Sequence, residues 1–281
     1  MTHASPFSLI ALAVVAAGLG AYLVGVRAGR QRGRGWPPGR TAAFVAGGLA
    51  VAVAVAPPVM HAAHGDLRVH MVQHVVLAML APIGLVLGAP VTVALRALPA
   101  RSARRLTRVL RSAPVWVVSH PVVALVLNVG GMAALYATPL YAATHGSALL
   151  HAAVHVHVLA AGCLFTWAVL AGPDPAPHPA GMGTRLGVLF VSIAAHAVLS
   201  KLMFARLWPA GVAGATEVQT AAQIMYYGGD LAEALLLAVL LAAWLRGDRR
   251  QTLGRWLPDR SRPSETAPPR VLAPARSTGS S

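Results

Sequence analysis

The chain has 281 residues, of which 56% are hydrophobic and only 11% are charged. A soluble domain of this length needs far more charge to cover its surface, so the composition excludes the soluble globular class. The formal net charge of +15 comes from arginines in short blocks between apolar stretches, without the interleaved aromatic residues typical of nucleic-acid binding. We therefore expect a polytopic membrane protein that binds no nucleic acid and whose arginines face lipid headgroups.

Seven apolar stretches, each of about 20 residues, predict an all-α integral membrane protein with seven transmembrane helices. The first stretch has no basic segment before it and arginines after it, so we interpret it as a retained helix and not as a signal peptide. Pro82 and Pro90 predict a kink in the third. The predicted spans are 6–26, 41–59, 70–95, 114–136, 147–170, 184–206 and 219–245.

Arginines mark alternate connections between these spans, which predicts the orientation. The first connection carries Arg27 to Arg40 and the third Arg96 to Arg111, whereas the second holds Arg68 and the fourth no arginine or lysine. The N-terminus is therefore predicted outside and the C-terminus in the cytoplasm. Residues 1–250 form the predicted transmembrane domain. Residues 251–281 are rich in Pro, Ser and Arg, and we expect them to form a disordered basic cytoplasmic tail.

Twelve histidines require an explanation, because polar groups are costly in lipid. With this topology, most of them lie at or near the outer ends of spans three and five. His70 and His74 are four residues apart, as are His151 and His155, so each pair shares one face of its helix. His196 lies near the middle of span six.

Methionines occur at the same depth as the paired histidines. Met71 follows His70, and Met225 comes early in span seven. Imidazole and thioether together suit copper, since the thioether selects the cuprous state, Cu(I). Zinc more often recruits cysteine or a closed set of four ligands. The competing interpretation is that a methionine or a single histidine in a membrane helix serves only packing, as we expect for the lone cysteine, Cys163.

Span seven also contains two acids, Asp230 and Glu233. An acid within a span is a candidate for function. For Asp230 the alternative is that it pairs with Lys201 in the outer half of span six.

The run His70-Met71-Val72-Gln73-His74, followed by Pro82 and then Gly88-Ala89-Pro90, resembles the CtaG-type cytochrome c oxidase assembly factors, which are multi-helix bacterial membrane proteins. The similarity extends over about residues 41–246. Asp230 stands where the family usually has glutamate. Further matching segments, in chain order, are His120-Pro121, Thr138-Pro139-Leu140-Tyr141, His155-Val156-His157, Phe165-Thr166-Trp167, Ala195-His196, Ile224-Met225 and Gly229-Asp230.

This resemblance implies a non-catalytic protein of the bacterial plasma membrane that helps copper reach a haem-copper oxidase. Its partners would be oxidase subunits and a periplasmic copper chaperone. The four paired histidines match the family without change, so they are the predicted metal ligands. Additional ligands or neighbours of the site are predicted to be Met71, His157, His196, Lys201, Met225 and Asp230.

Two other functions stay open from the residues alone. Histidines at equal depth on facing helices suit the axial ligands of a haem-binding membrane cytochrome. A relay through Lys201, Asp230 and His196 would suit a transporter or proton-conducting protein. An enzyme is the weakest class, because no serine or cysteine nucleophile stands beside a base in a recognisable motif.

Overall fold

The computed structural model describes residues 6–177 and 180–256, and every regular element in those ranges is helical. The helices in chain order are α1 (Pro6–Gln31), α2 (Pro38–Ala54), α3 (Pro57–Gly65), α4 (Leu67–Leu87), α5 (Pro90–Ala97), α6 (Ala100–Leu110), α7 (Ala113–Val118), α8 (Pro121–Ala137), α9 (Leu140–Gly146), α10 (Ala148–Leu170), α11 (Met182–Arg206) and α12 (Ala215–Trp256).

Five of these helices, α1, α4, α10, α11 and α12, are long and apolar enough to cross a membrane alone. Two bent pairs qualify when each is taken as one span: α2 with α3, bent by 54°, and α8 with α9, bent by 74°. The predicted all-α membrane fold is confirmed, with five to seven spans. The seven predicted stretches overlap these five helices and two pairs.

Besides the second predicted span, 41–59, which crosses the bend between α2 and α3, two further spans are interrupted in the structure. The third, 70–95, is too long, because α4 ends at Leu87 and Ala89 adopts a left-handed conformation (φ 50°) before α5 begins. The fourth, 114–136, begins in α7, which is separated from α8 by Ser119 and His120. In both places a proline opens the next helix, because its fixed φ suits the first turn and it needs no N–H partner there.

The predicted kink at Pro82 takes the form of a π-helical turn within α4, Val76–Leu80. Proline has no N–H to donate to Ala78, four residues earlier, and its ring crowds that carbonyl group. The wider π turn accommodates the ring. Gly162 of α10 packs against the Ala78 carbonyl so closely that an added β-carbon would overlap its oxygen. This contact holds α10 tightly against the middle of α4.

The bundle has two chemically different ends, which α1 separates. Near the start of α1, the Phe7 ring lies 6.4 Å from His151 and 6.2 Å from His155. Just beyond its end, Arg32 donates to the backbone carbonyl of Arg96 at 3.1 Å. At 1.5 Å per residue the 26 residues of α1 extend for about 39 Å. We call these the histidine end and the arginine end.

The chain divides at Leu241, within α12, into a helical bundle and a C-terminal unit. Helix α12 continues to Trp256, so it extends beyond the predicted end of the last span at residue 245 and into the predicted tail. Residues 257–281 of that tail lie outside the described residues.

Candidate functional site

Three imidazole rings form a stack at the histidine end. The His151 ring lies 4.4 Å from the rings of both His64 and His155, with planes inclined by only 20° and 26°. His64 comes from α3 and the other two from α10, where four-residue spacing places them on one face. We call His64, His151 and His155 the outer group. His64 is exposed and His155 is buried, so the stack leads from the surface into the bundle.

Backbone carbonyls set the tautomers of two rings in this group. His64 Nδ1 lies 2.8 Å from the Met60 carbonyl oxygen, and His155 Nδ1 lies 3.0 Å from that of His151. A carbonyl oxygen only accepts, so each of these contacts favours the hydrogen on Nδ1, and a neutral ring then has its lone pair on Nε2. The buried His151 Nε2 has no hydrogen-bond partner within the described chain. All three rings therefore have an Nε2 available to a metal.

Gln73, between the two histidines of α4, ties the outer group to α2 and α3. Its amide nitrogen donates to the Ala54 carbonyl at 2.6 Å and lies 2.9 Å from the Met60 sulfur. Its amide oxygen consequently faces His155 Nε2, at 3.3 Å. With the hydrogen of His155 on Nδ1, two acceptors oppose each other here. A cation bound at His155 Nε2 would relieve this repulsion.

Three of the four predicted ligands meet deeper in the bundle. His70, His74 and His155 line one cavity of about 10 Å³ between α4, α8 and α10. His70 Nε2 lies 3.2 Å from the Tyr136 hydroxyl group and forms a hydrogen bond with it. The structure thus brings the two predicted pairs together, while His151 lies one helical turn nearer the surface, in the outer group.

A second cavity, about 20 Å³, lies farther along α4 and α10 from the histidine end; we call it the deep cavity. Four buried atoms of its lining have no hydrogen-bond partner within the described chain: His74 Nε2, both ring nitrogens of His196 and Glu233 Oε2. The Ser192 hydroxyl donates to Glu233 Oε1 at 3.3 Å, and His196 Nδ1 is 3.8 Å from Glu233 Oε2. The polar residues that line it are His74, Asn128, His157, Ser192, His196 and Glu233.

The other predicted site residues have separate surroundings. Met71 and Met225 are fully buried in an apolar cluster with Tyr136. His157 Nε2 donates to the Leu127 carbonyl at 3.2 Å, at the edge of the deep cavity.

The two charged candidates of spans six and seven do not pair. Lys201 is exposed, with its ammonium group 5.5 Å from the Tyr226 ring centre. Asp230 is half-buried, and the structure shows no ion pair between these two described residues. The acid that lines the deep cavity is Glu233, one helical turn beyond Asp230.

Within residues 6–177 and 180–256, no three His, Cys, Asp or Glu side chains form a ready-made metal cage. The parallel stacking of the outer group gives the reason. The lone pair of an imidazole nitrogen lies in the ring plane, so three stacked rings direct their lone pairs along separate planes. These rings must turn before more than one of them can bind the same ion.

Several residues that make this geometry are not among the predicted ligands. Gln73 was visible as a polar residue in an apolar span, and Glu233 as a second intramembrane acid. Nothing in the sequence distinguishes Tyr136 from a core aromatic residue. In the sequence, His64 resembles a solvated residue of the loop between two spans. Only the bend between α2 and α3 brings it to α10.

The family model for cytochrome c oxidase caa3 assembly factors (Caa3_CtaG) matches residues 20–247. The chain belongs to this family. The resemblance carried by the histidine motif of α4 is thereby confirmed. Family membership and the apolar helices identify the chain as a multi-pass protein of the bacterial plasma membrane.

Similar curated proteins come from mycobacteria. Uncharacterized proteins of Mycobacterium bovis and Mycobacterium tuberculosis are each 33% identical over 265 residues, which cover 86% of this chain and 39% of the relative. An uncharacterized protein of Mycobacterium leprae is 30% identical over 264 residues, 86% of this chain and 40% of the relative. The chain thus spans about two fifths of the length of these relatives. No solved structure matches it.

Proposed function

We propose that this assembly factor binds a cuprous ion in the outer group and passes it to a cytochrome c oxidase during assembly. The ion would come from a periplasmic copper chaperone and go to an oxidase subunit. The observation that carries this proposal is the contact of the Nδ1 atoms of His64 and His155 with backbone carbonyl oxygens, which favours a free lone pair on Nε2 in each ring. Metal-binding histidines use the same arrangement, because it orients the ring and leaves Nε2 free for the ion.

The nearby donors favour copper in its lower oxidation state. The Met60 thioether lies beside Gln73, within the same contact network as His155. Imidazole and thioether are neutral, and a thioether selects the cuprous ion over harder cations. Since a cuprous ion carries one charge, it is also the copper ion that costs least to bury among apolar helices.

The proposed ligands are therefore His64, His151 and His155, with Met60 as a soft addition. His70 and His74 were predicted as ligands as well, but their ring nitrogens have other surroundings. His70 Nε2 is hydrogen-bonded to Tyr136, and His74 Nε2 lies in the lining of the deep cavity. We assign these two to the support of the site. Because its rings must turn before they share an ion, the site suits transient binding of cargo.

The direction of delivery follows from the two ends of the bundle. Arginine-rich connections of membrane proteins stay in the cytoplasm. At the arginine end, which lies at the end of α1 opposite the outer group, Arg32 and Arg34 both donate to the backbone carbonyl of Arg96. The outer group consequently faces the extracytoplasmic side, where a chaperone can reach the exposed His64.

The two alternative functions have less support. A haem group needs far more room than the cavities of about 10 and 20 Å³ beside the paired histidines. The predicted relay through Lys201, Asp230 and His196 lacks contacts between its members, since Lys201 is exposed and lies over Tyr226.

The test is copper loading of the purified protein under anaerobic, reducing conditions. We expect about one copper per chain for the wild type and for His61→Ala, a control at an exposed histidine of α3. We expect His151→Ala/His155→Ala to lose the copper and His74→Ala to retain it. Retention by the double variant would contradict the outer group as the site, as would loss by His74→Ala alone. Oxidase activity of host membranes carrying each variant tests delivery separately.

A further inference from the structure

The deep cavity is separate from the proposed copper site and has unusual chemistry for the interior of a membrane protein. Glu233 is 3% exposed and His196 is 1% exposed, yet three of their polar atoms and His74 Nε2 lack partners within the described chain. A polar group in a membrane protein must find a partner inside the protein, since the surrounding hydrocarbon offers none. The cavity therefore requires a polar occupant.

A single water molecule fits the space and the chemistry. A cavity of about 20 Å³ admits one water, which needs two to four polar partners to be held. Glu233 Oε2 and His196 Nδ1 are 3.8 Å apart, too far for a direct hydrogen bond and close enough for one water to contact both. His74 Nε2 and the Asn128 amide line the same cavity and supply further partners.

The surroundings also determine the charge of Glu233. No lysine or arginine lines the cavity. The titratable groups that face it are His74 from α4, His157 from α10 and His196 from α11, while Asp230 precedes it on α12. A buried carboxylate paired with an imidazolium needs close, direct hydrogen bonds to offset the loss of hydration. The 3.8 Å separation does not provide them, so the uncharged pair is favoured.

We propose that the deep cavity holds one water molecule and that Glu233 is an uncharged carboxylic acid there, linked through that water to His196. Ser192 donates to Oε1, which leaves Oε2 to carry the proton. The proton on Oε2 can pass through the water to His196 Nδ1, leaving a carboxylate beside an imidazolium. The summed charge is zero before and after this transfer. The deep cavity is thus an internal proton-exchange site, and the exchange brings no net charge into the membrane.

Infrared spectroscopy of the full-length, metal-free protein at neutral pH tests this proposal. We expect a carbonyl stretching band of a protonated carboxyl group that shifts to lower frequency in D2O. The band should disappear in Glu233→Gln and persist in Asp230→Asn, the matched control one turn earlier on α12. Absence of the band from the wild type would overturn the proposal, and so would its persistence in Glu233→Gln. Neither outcome depends on copper binding.

Thermal unfolding of the same variant gives an independent measurement. Glutamine has the shape and charge of a protonated glutamate, so we expect Glu233→Gln to melt within a few degrees of the wild type. Glu233→Ala should melt clearly lower, because it leaves Ser192, His196 and the water without their partner. If Glu233 were a carboxylate paired with an imidazolium, Glu233→Gln would be strongly destabilised as well. That result would overturn the uncharged state.

Discussion

The outer group and the deep cavity use the same side chain, imidazole, in opposite ways. In the outer group the rings stack 4.4 Å apart, backbone carbonyls fix two of them, and His64 reaches the surface. In the deep cavity the ring nitrogens of His196 have no hydrogen-bond partner within the described chain, and the ring faces a buried carboxyl group. In our proposals, the first environment presents lone pairs to an arriving cation, and the second retains a proton. Position and partners, more than residue type, decide what a membrane histidine can do.

The two regions should differ most in how well they accept a larger side chain in place of a glycine. At Gly229, in the deep cavity, a β-carbon would overlap the His196 ring. We expect Gly229→Ala to lower the free energy of unfolding by about 3 kcal/mol or more, because overpacking forces the ring and α12 apart. Thermal unfolding of the purified protein measures this loss.

Gly146, at the end of α9 near the outer group, is the matched control. Its β-carbon would meet nothing within 4 Å. Gly146→Ala should therefore leave stability unchanged or raise it by up to about 1 kcal/mol, since alanine restricts the unfolded chain more than glycine does. Equal losses in both variants would show that the deep cavity is packed no more tightly than the outer group.

A smaller effect should follow from removing the amide that supports the outer group. Gln73→Leu leaves the Ala54 carbonyl, at the last residue of α2, without its 2.6 Å hydrogen bond. We expect a loss of about 1–3 kcal/mol, the cost of one unsatisfied buried acceptor. We also expect copper affinity to fall by about 10-fold, a typical effect for residues next to a metal ligand, because a cation at His155 Nε2 would no longer face the Gln73 amide oxygen. Isothermal titration with a cuprous complex and thermal unfolding provide the two measurements.

Gln223→Leu, at an exposed glutamine of α12, is the control for this substitution. It should change neither the free energy of unfolding nor the copper affinity. If Gln73→Leu binds copper as tightly as the wild type, Gln73 does not orient His155 and the outer group forms its site without α2.

The smallest effect concerns the surface next to the outer group. Arg68, by hydrogen bonding to the Asp66 side chain, lowers the pKa of Asp66 from 3.8 to about 2. The folded-state pKa lies below the unfolded one, so the pair stabilises the protein above pH 4 and this contribution disappears as the pH falls towards 2. Asparagine still caps α4, so Asp66→Asn removes the charge and the hydrogen bonds that Arg68 donates to Oδ2, and keeps the cap.

The melting temperature of Asp66→Asn should be slightly below that of the wild type at neutral pH. The two should converge as the pH approaches 2. A difference that stays constant over this range would mean that the ion pair, which is largely exposed, contributes nothing to stability.

The sequence predicts the class of fold because the apolar length needed to cross a bilayer is visible in it. Its errors fall where a short irregularity divides an apolar stretch. Ala89 breaks the third predicted span although alanine favours helices, because the chain turns there so that α5 can pack beside α1. A left-handed residue of this kind depends on tertiary contacts, which composition does not reveal.

The site was predicted in part. Four-residue spacing correctly places His151 and His155 on one face of α10. It gives no information about which ring nitrogen is free, because that depends on carbonyl groups whose distances only the structure provides. Likewise, Asp230 and Glu233 look equivalent along the chain, and only the rotation of α12 about its axis brings Glu233 to His196.

The contact of Gly162 with the Ala78 carbonyl has a consequence for copper release. Because no side chain separates these backbones, α10 and α4 cannot slide past each other, and Gly47 and Gly84 join α2 to α4 in the same close manner. The nine residues of α3 include no glycine with such a close contact. A bound ion would then leave when α3 moves and withdraws His64 and Met60, while the other helices stay in place.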